Sequence, residues 1–169
     1  DLDNLALHQR RALLLALFVN TVVFVCEVVG GLHAQSEAVL ADSIHLFSHL
    51  FVIIISLIVL KKSSIWKARA AFVKGLLIAG LGFSILLESL SSLFFSDHLP
   101  EANVISAVAS IALLGNALTI WILAKHRNED LNMRSAWDCS QADLLTNVCL
   151  ILAGFLVAFF HSGWPDSLL

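Results

Sequence analysis

The stretch VLADSIHLFSHLFVIIISLIVL, Val39–Leu60, runs straight into Lys61 and Lys62, and it decides how the rest of the chain is read. As a helix it is long enough to cross the roughly 30 Å hydrocarbon core of a bilayer. Its first half nevertheless carries Asp42, His45 and His49. A charged group at the centre of a spanning helix costs roughly 2.5–3.5 kcal/mol on insertion scales, so each of these needs a reason. Four similar runs lie to either side: Ala12–Leu32, Ala70–Phe94, Ala102–Ala124 and Trp137–Phe160. Polar connectors separate the five, namely His33–Ala38, Lys61–Arg69, Ser96–Glu101 and Lys125–Ala136. The expected fold class is an all-α membrane protein, a helical bundle. Five transmembrane helices are expected in the chain, and Trp164–Leu169 reads as the start of a sixth, making six in the intact domain.

Composition supports this. Of 169 residues, 59% are hydrophobic and 14% are charged. A water-facing domain carries about 25% charged residues, so there are too few here to coat one. A net charge of −3 without a basic stripe argues against a nucleic-acid partner. Three cysteines, none in a CxxC, make no disulfide framework, and no HExxH protease motif occurs. The first apolar run is too long for a cleavable signal peptide. Asp1 is not a Met and Leu169 falls where a new apolar run begins, so the sequence reads as a fragment, residues 1–169 of a larger transmembrane domain. The sixth helix and any C-terminal domain are expected to lie beyond it.

All ten Lys and Arg residues sort to one side. Arg10 and Arg11 precede the first run, Lys61, Lys62, Lys67, Arg69 and Lys74 surround the second connector, and Lys125, Arg127 and Arg134 lie in the fourth. The first and third connectors carry only Glu37, Asp97 and Glu101 beside His33 and His98. By the positive-inside rule, the N-terminus and the second and fourth connectors are cytoplasmic.

The chemistry lies in the second and fifth runs. His45 and His49 are four residues apart, as are Cys139 and Asp143. That spacing puts both members of a pair on one face of a helix, one above the other. Two facing helices of this kind offer four donors, the ligand count of a tetrahedral Zn²⁺ site, and imidazole, thiolate and carboxylate all bind zinc. The depths agree, with His49 and Asp143 near mid-span and the other two about a turn away, where secondary transporters hold their cargo. Asp138 can replace Cys139 after a slight rotation of its helix. Asp42, three residues before His45, can orient an imidazole from behind.

Blander readings stand beside these. An intramembrane His can be a helix–helix hydrogen-bonding group, and a Cys a small apolar filler, the role expected of Cys26 and Cys149. Glu27 and Glu88 read as vestibule groups or as protonated packing residues. His8, His33, His98, His126 and His161 fall in connectors or flanks, where exposure is expected. A haem-binding bundle would need axial His on two facing helices, whereas both mid-span His share one.

Two stretches carry a family resemblance. The first is Asn20 to Gly31 with Glu27, Gly30 and Gly31, continuing through Ser36, Asp42 and His45, in the pattern N-x6-E-x2-GG, S-x-A-x-LADxxH. The second runs from Asn132 to Asn147 around Cys139 and Asp143, and Ser162 to Asp166 follows with its Trp164-Pro165-Asp166. The chain resembles the transmembrane domain of the cation diffusion facilitator family of divalent-metal transporters. The resemblance implies a secondary active transporter rather than an enzyme. It would export a divalent cation in exchange for protons by alternating access, through a midplane site between the second and fifth helices. It also implies a multi-pass protein of the plasma (inner) membrane, a homodimer, and no cofactor beyond the transported ion. Family members usually carry His or Asp at the positions of His45 and Cys139, and Asp at that of His49. Here His49 and Cys139 depart from that pattern. The softer set favours Zn²⁺, with Cd²⁺, Co²⁺ or Ni²⁺ as lesser cargoes, over Mn²⁺ or Mg²⁺. The alternative is a membrane scaffold or regulatory subunit that keeps the fold with a degenerate metal site and does not transport.

The expected mechanism follows from ligand chemistry. Ligands must be deprotonated, so protons and metal compete at one site. Imidazoles ordinarily titrate near 6.5, close enough to physiological pH to change state during a cycle.

Overall fold

The computed structural model describes residues 2–60, 62–95, 99–129 and 131–167, with their side chains except at 2–6, 78, 81, 85, 88–95, 131, 132 and 167. These residues form helices and short turns only. The helices are α1 (Leu2–Ala34), α2 (Glu37–Val59), α3 (Ser64–Phe95), α4 (Ala102–Ala124), α5 (Leu131–Phe160) and the short α6 (Trp164–Ser167). Among the described residues, α1, α2, α4 and α5 contain stretches long and apolar enough to cross a membrane. The chain is an all-α membrane bundle.

α1, α2, α3 and α5 begin earlier than their apolar runs, whereas α4 begins with its run at Ala102. α1 starts at Leu2 rather than Ala12, α3 at Ser64 rather than Ala70, and α5 at Leu131 rather than Trp137. The physical reason is that hydropathy marks the part of a helix matched to hydrocarbon, whereas backbone hydrogen bonds carry the helix on into water. One consequence falls on Lys74, expected among the basic flanking residues. It lies inside α3, is 1% exposed, and donates from Nζ to Ser56 Oγ of α2 at 3.0 Å. Lys61, Asp97 and His98 lie outside the described residues, as does the side chain of Glu88.

Short connections make sequential helices antiparallel neighbours. α1, α2, α5 and α4 close into a four-helix group in which α1 meets α2 and α4, and α5 meets α4 and α2. α3 packs outside this group against α2 and α5. Small residues bring helix axes close, as is usual where lipid supplies no hydrophobic drive for helix association. A Cβ at Gly115 of α4 would collide with Val23 of α1, and one at Gly154 of α5 with Ser106 of α4.

Apolar contacts sit at both ends of the four-helix group. At the end near Arg10 and Lys125, Leu13 and Ala16 pack with Val52, Ile53, Leu123, Met133 and Ala136. At the opposite end, which bears Glu37 and Glu101, Ala34, Ala38 and Val39 pack with Ile105, Val108, Ala109 and Leu150. Between the two lies a polar layer. Asn20 Nδ2 of α1 donates to Thr119 Oγ1 of α4 at 3.1 Å, and Glu27, Asp42, His49, Asn116, Asp143 and Asn147 are all buried.

The turn between α1 and α2 is tightly specified. Gln35 takes a left-handed φ of 51°, and Ser36 N donates to Gly31 O at 3.1 Å, the paired signature of a helix C-terminus. Ser36 then begins α2, its Oγ accepting from Val39 N at 3.1 Å.

Candidate metal centre

α2 carries Asp42, His45 and His49 on the face turned into the bundle, because the apolar residues between them, among them Ile44 and Phe47, take the exposed positions. α5 presents Asp143 toward them. Its Oδ2 lies 2.5 Å from His49 Nδ1, and its Oδ1 lies 3.6 Å from His45 Nε2. The two imidazole rings meet edge to face with centroids 4.6 Å apart. One ligand atom from each of His45, His49 and Asp143 can be chosen so that all lie within 4.8 Å of one another. A tetrahedral Zn²⁺ with bonds of about 2.0–2.1 Å holds its ligand atoms about 3.3 Å apart. The two imidazole–carboxylate separations lie on either side of that value, and the whole set lies within 4.8 Å, so modest side-chain shifts would bring the donors around an ion.

Two buried atoms here have no hydrogen-bond partner, His49 Nε2 and Asp143 Oδ1. Buried polar atoms are nearly always satisfied, and an unpaired carboxylate oxygen facing an imidazole is a ready acceptor for a cation. Asn147, one turn beyond Asp143, donates from Nδ2 to the Asp143 carbonyl at 2.8 Å and so stiffens the helix that holds the carboxylate.

The fourth expected donor is placed differently. Cys139 neighbours His49 on the side away from His45 and is half-buried, outside the mutually close set. Asp138, considered as its replacement, turns away: its side chain is 53% exposed and pairs with Arg134 at 3.7 Å. One residue of rotation separates the two positions, and α5 uses it to bring the thiol, not the carboxylate, toward the site. Asp42, expected to orient an imidazole, instead brings its carboxyl against that of Glu27 from α1, with Asp143 close by. Sequence reading placed Glu27 as a vestibule or packing residue. At 1% exposed it is a core packing residue of α1 beside the acidic side of the site.

Access is asymmetric. A cavity of about 200 Å³ between α2, α3 and α5 is lined by Ala38, Ala41, Asp42, His45, Gly82, Thr146 and Leu150. It reaches His45, whose side chain is 25% exposed, from the end that bears Glu37. His49 and Asp143, 4% and 3% exposed, lie beneath it.

Of the flanking histidines, His8, His33 and His161 are exposed, and His98 lies outside the described residues. His126 differs from expectation, being buried with Nδ1 2.9 Å from Glu129 Oε1. Glu129 in turn accepts from Gln9 Nε2 at 2.6 Å, so the cluster ties α1 to the turn after α4.

One functional contact had no sequence signal beyond its two separate halves. Asp166, in the short α6 that follows α5, accepts from Ser36 Oγ at 2.6 Å, Glu37 N at 2.8 Å and Ala38 N at 3.4 Å. Burial pushes its carboxyl above the usual carboxylate range, against the opposing pull of those hydrogen bonds.

The family model described as the cation efflux transmembrane domain matches residues 13–169. The chain is similar to the "Cadmium, cobalt and zinc/H(+)-K(+) antiporter" of Bacillus subtilis (strain 168), at 26% identity over 174 residues, 95% of this chain and 56% of the relative. It is similar to the "Metal cation efflux system protein CzcD" of Cupriavidus metallidurans, at 27% over 171 residues, 94% of this chain and 54% of the relative. It also matches the "Zinc transporter ZitB" of Escherichia coli (strain K12), at 29% over 174 residues, 95% of this chain and 54% of the relative. The chain spans about half the length of these relatives.

Proposed function

The chain belongs to the cation efflux transmembrane domain family, and from that premise we propose that it forms the transport unit of a divalent-metal exporter with zinc as its chief cargo. The observation that carries the reading is the convergence of His45, His49 and Asp143 between α2 and α5 within the polar layer. Two imidazoles and a carboxylate suit Zn²⁺ first, with Cd²⁺, Co²⁺ and Ni²⁺ behind, and disfavour the harder Mn²⁺ and Mg²⁺. Relatives named for zinc, cadmium and cobalt support the same choice. Three protein donors leave a fourth position for water or for Cys139, the neighbour of His49 on α5.

Transport is coupled to protons in this reading. Imidazole binds either a proton or the metal, so opening toward the proton-rich side exchanges one for the other. The basic end of the bundle is cytoplasmic, the cavity beside His45 lies toward the opposite end, and the apolar contacts around Leu13, Ile53 and Leu123 fill the inner half. In this reading access to the site alternates between the two sides of the plasma membrane, and the protein works as a homodimer.

The test is zinc flux into proteoliposomes holding the full-length protein, with and without an imposed pH gradient, beside Asp143→Ala. Gradient-dependent flux that disappears in the variant supports the reading. A folded parent that moves no divalent metal would replace it with the non-transporting scaffold.

A further inference from the structure

We propose that Asp166 is a positioning residue for the metal-binding helix: from the short α6 after α5 it holds the first turn of α2 and so sets the separation of His45 from Asp143. A helix starts with backbone N–H groups that have no partner inside it. In α2 the first three are those of Glu37, Ala38 and Val39. Ser36 Oγ takes that of Val39 at 3.1 Å, and Asp166 Oδ2 takes those of Glu37 and Ala38 at 2.8 and 3.4 Å. The Ser36 hydroxyl donates to Asp166 Oδ1 at 2.6 Å, so the two caps are joined. Ser36 is 0% and Asp166 3% exposed, which leaves no water to take over if either is lost.

This cap differs from an ordinary one in where it comes from. α5 carries Asp143 at mid-bundle and continues to Phe160, and Asp166 follows in α6. α2 is therefore tied to the α5 segment at two levels, by Asp166 at its first turn and by His49 against Asp143 three turns below. His45 lies between these ties and touches Asp143 only at 3.6 Å, the looser of the two imidazole contacts. The first turns of α2 are also a wall of the cavity beside His45, through Ala38, Ala41 and Asp42. Release of the upper tie would let His45 swing away from Asp143 while His49 stays in place. The effect belongs to binding of the ion rather than to its passage.

The inference rests on the metal-transport reading, and the experiment separates the two. Zinc uptake is measured in proteoliposomes with the full-length parent, Asp166→Ala and Asp166→Asn. Loss of one helix-cap interaction corresponds to about a fivefold change, so Asp166→Ala is expected to raise KM for zinc about fivefold with little change in maximal rate. Asparagine keeps an oxygen for the Glu37 and Ala38 amides and is itself a good helix cap, so Asp166→Asn restores KM. A parent that transports, with KM unmoved in Asp166→Ala or with only the maximal rate reduced, overturns the positioning role alone. A parent that neither binds nor transports zinc overturns both readings. If Asp166→Ala fails to insert, zinc titration of Ser36→Ala replaces it: weaker binding upholds the role and unchanged binding overturns it.

Discussion

Replacing Asp143 by asparagine removes the one side chain that touches both imidazoles and keeps its shape. The carboxylate is 2% exposed, with one oxygen on His49 and the other facing His45. The amide offers a single neutral oxygen, and its NH₂ cannot ligate. Losing a partner behind a metal ligand already costs about 10–100-fold in affinity, so losing this ligand costs about a hundredfold or more. At zinc about 100 times the parent's dissociation constant, binding adds about 2.7 kcal/mol to stability. A site a hundredfold weaker gains about 0.4 kcal/mol at the same concentration. The difference, about 2.3 kcal/mol, corresponds to about 5–9 °C in the unfolding midpoint of a 150–250-residue protein and to less in a longer one. The assay is thermal unfolding of the detergent-solubilised full-length protein, followed by circular dichroism with and without zinc. The zinc-induced rise should shrink by that amount in Asp143→Asn. An equal rise in parent and variant would refute the assignment of Asp143 as a ligand.

Three further outcomes are expected. His49→Asp, which puts the family's usual residue at this position, should retain zinc flux but change the Zn²⁺:Cd²⁺ preference and the pH profile; identical profiles would show that His49 is not a ligand. Gly154→Val should lower stability by about 1–3 kcal/mol, because its Cβ meets Ser106 and lies 3.1 Å from the Ala102 carbonyl, and an unchanged midpoint would contradict that close approach. Burial raises the Asp166 carboxyl above its unfolded value, so its titration favours the fold most in acid and that contribution is lost as pH rises through the raised pKa. Stability of the parent relative to Asp166→Asn should therefore fall with rising pH, and parallel pH curves for the two would count against it.

The spans and the pairing of His45 with His49 were legible because a helix repeats its faces every three to four residues, and the bilayer forbids charges without partners. The choice between Asp138 and Cys139 was not, since adjacent residues differ by about 100° around the helix and only packing against the neighbouring helices fixes the rotation. The meeting of Glu27 with Asp42 was hidden for a related reason: both belong to quoted motifs, but their contact depends on how α1 leans on α2. The bond between Ser36 and Asp166 joins positions 130 residues apart, and its halves look like an ordinary helix start and an ordinary turn. Apolar runs did not reveal how far the helices continue beyond the membrane, where apolarity stops informing on hydrogen bonding, as at Leu2 and Ser64.

The glycine contacts of α4 constrain how this protein can move. Val23 sits over Gly115 on one side of the helix, and Ser106 sits over Gly154 on the other. Turning α4 about its own axis would carry side chains into gaps that hold none, and sliding it would lift each knob out of its notch. α1, α4 and α5 are thus closely packed along α4, and Leu40 over Gly31 brings α2 against α1 in the same way. Asp143 rides on α5. The histidines ride on α2, so an ion held by all three side chains would bridge α2 and α5, and its grip would depend on how closely those two helices stay packed.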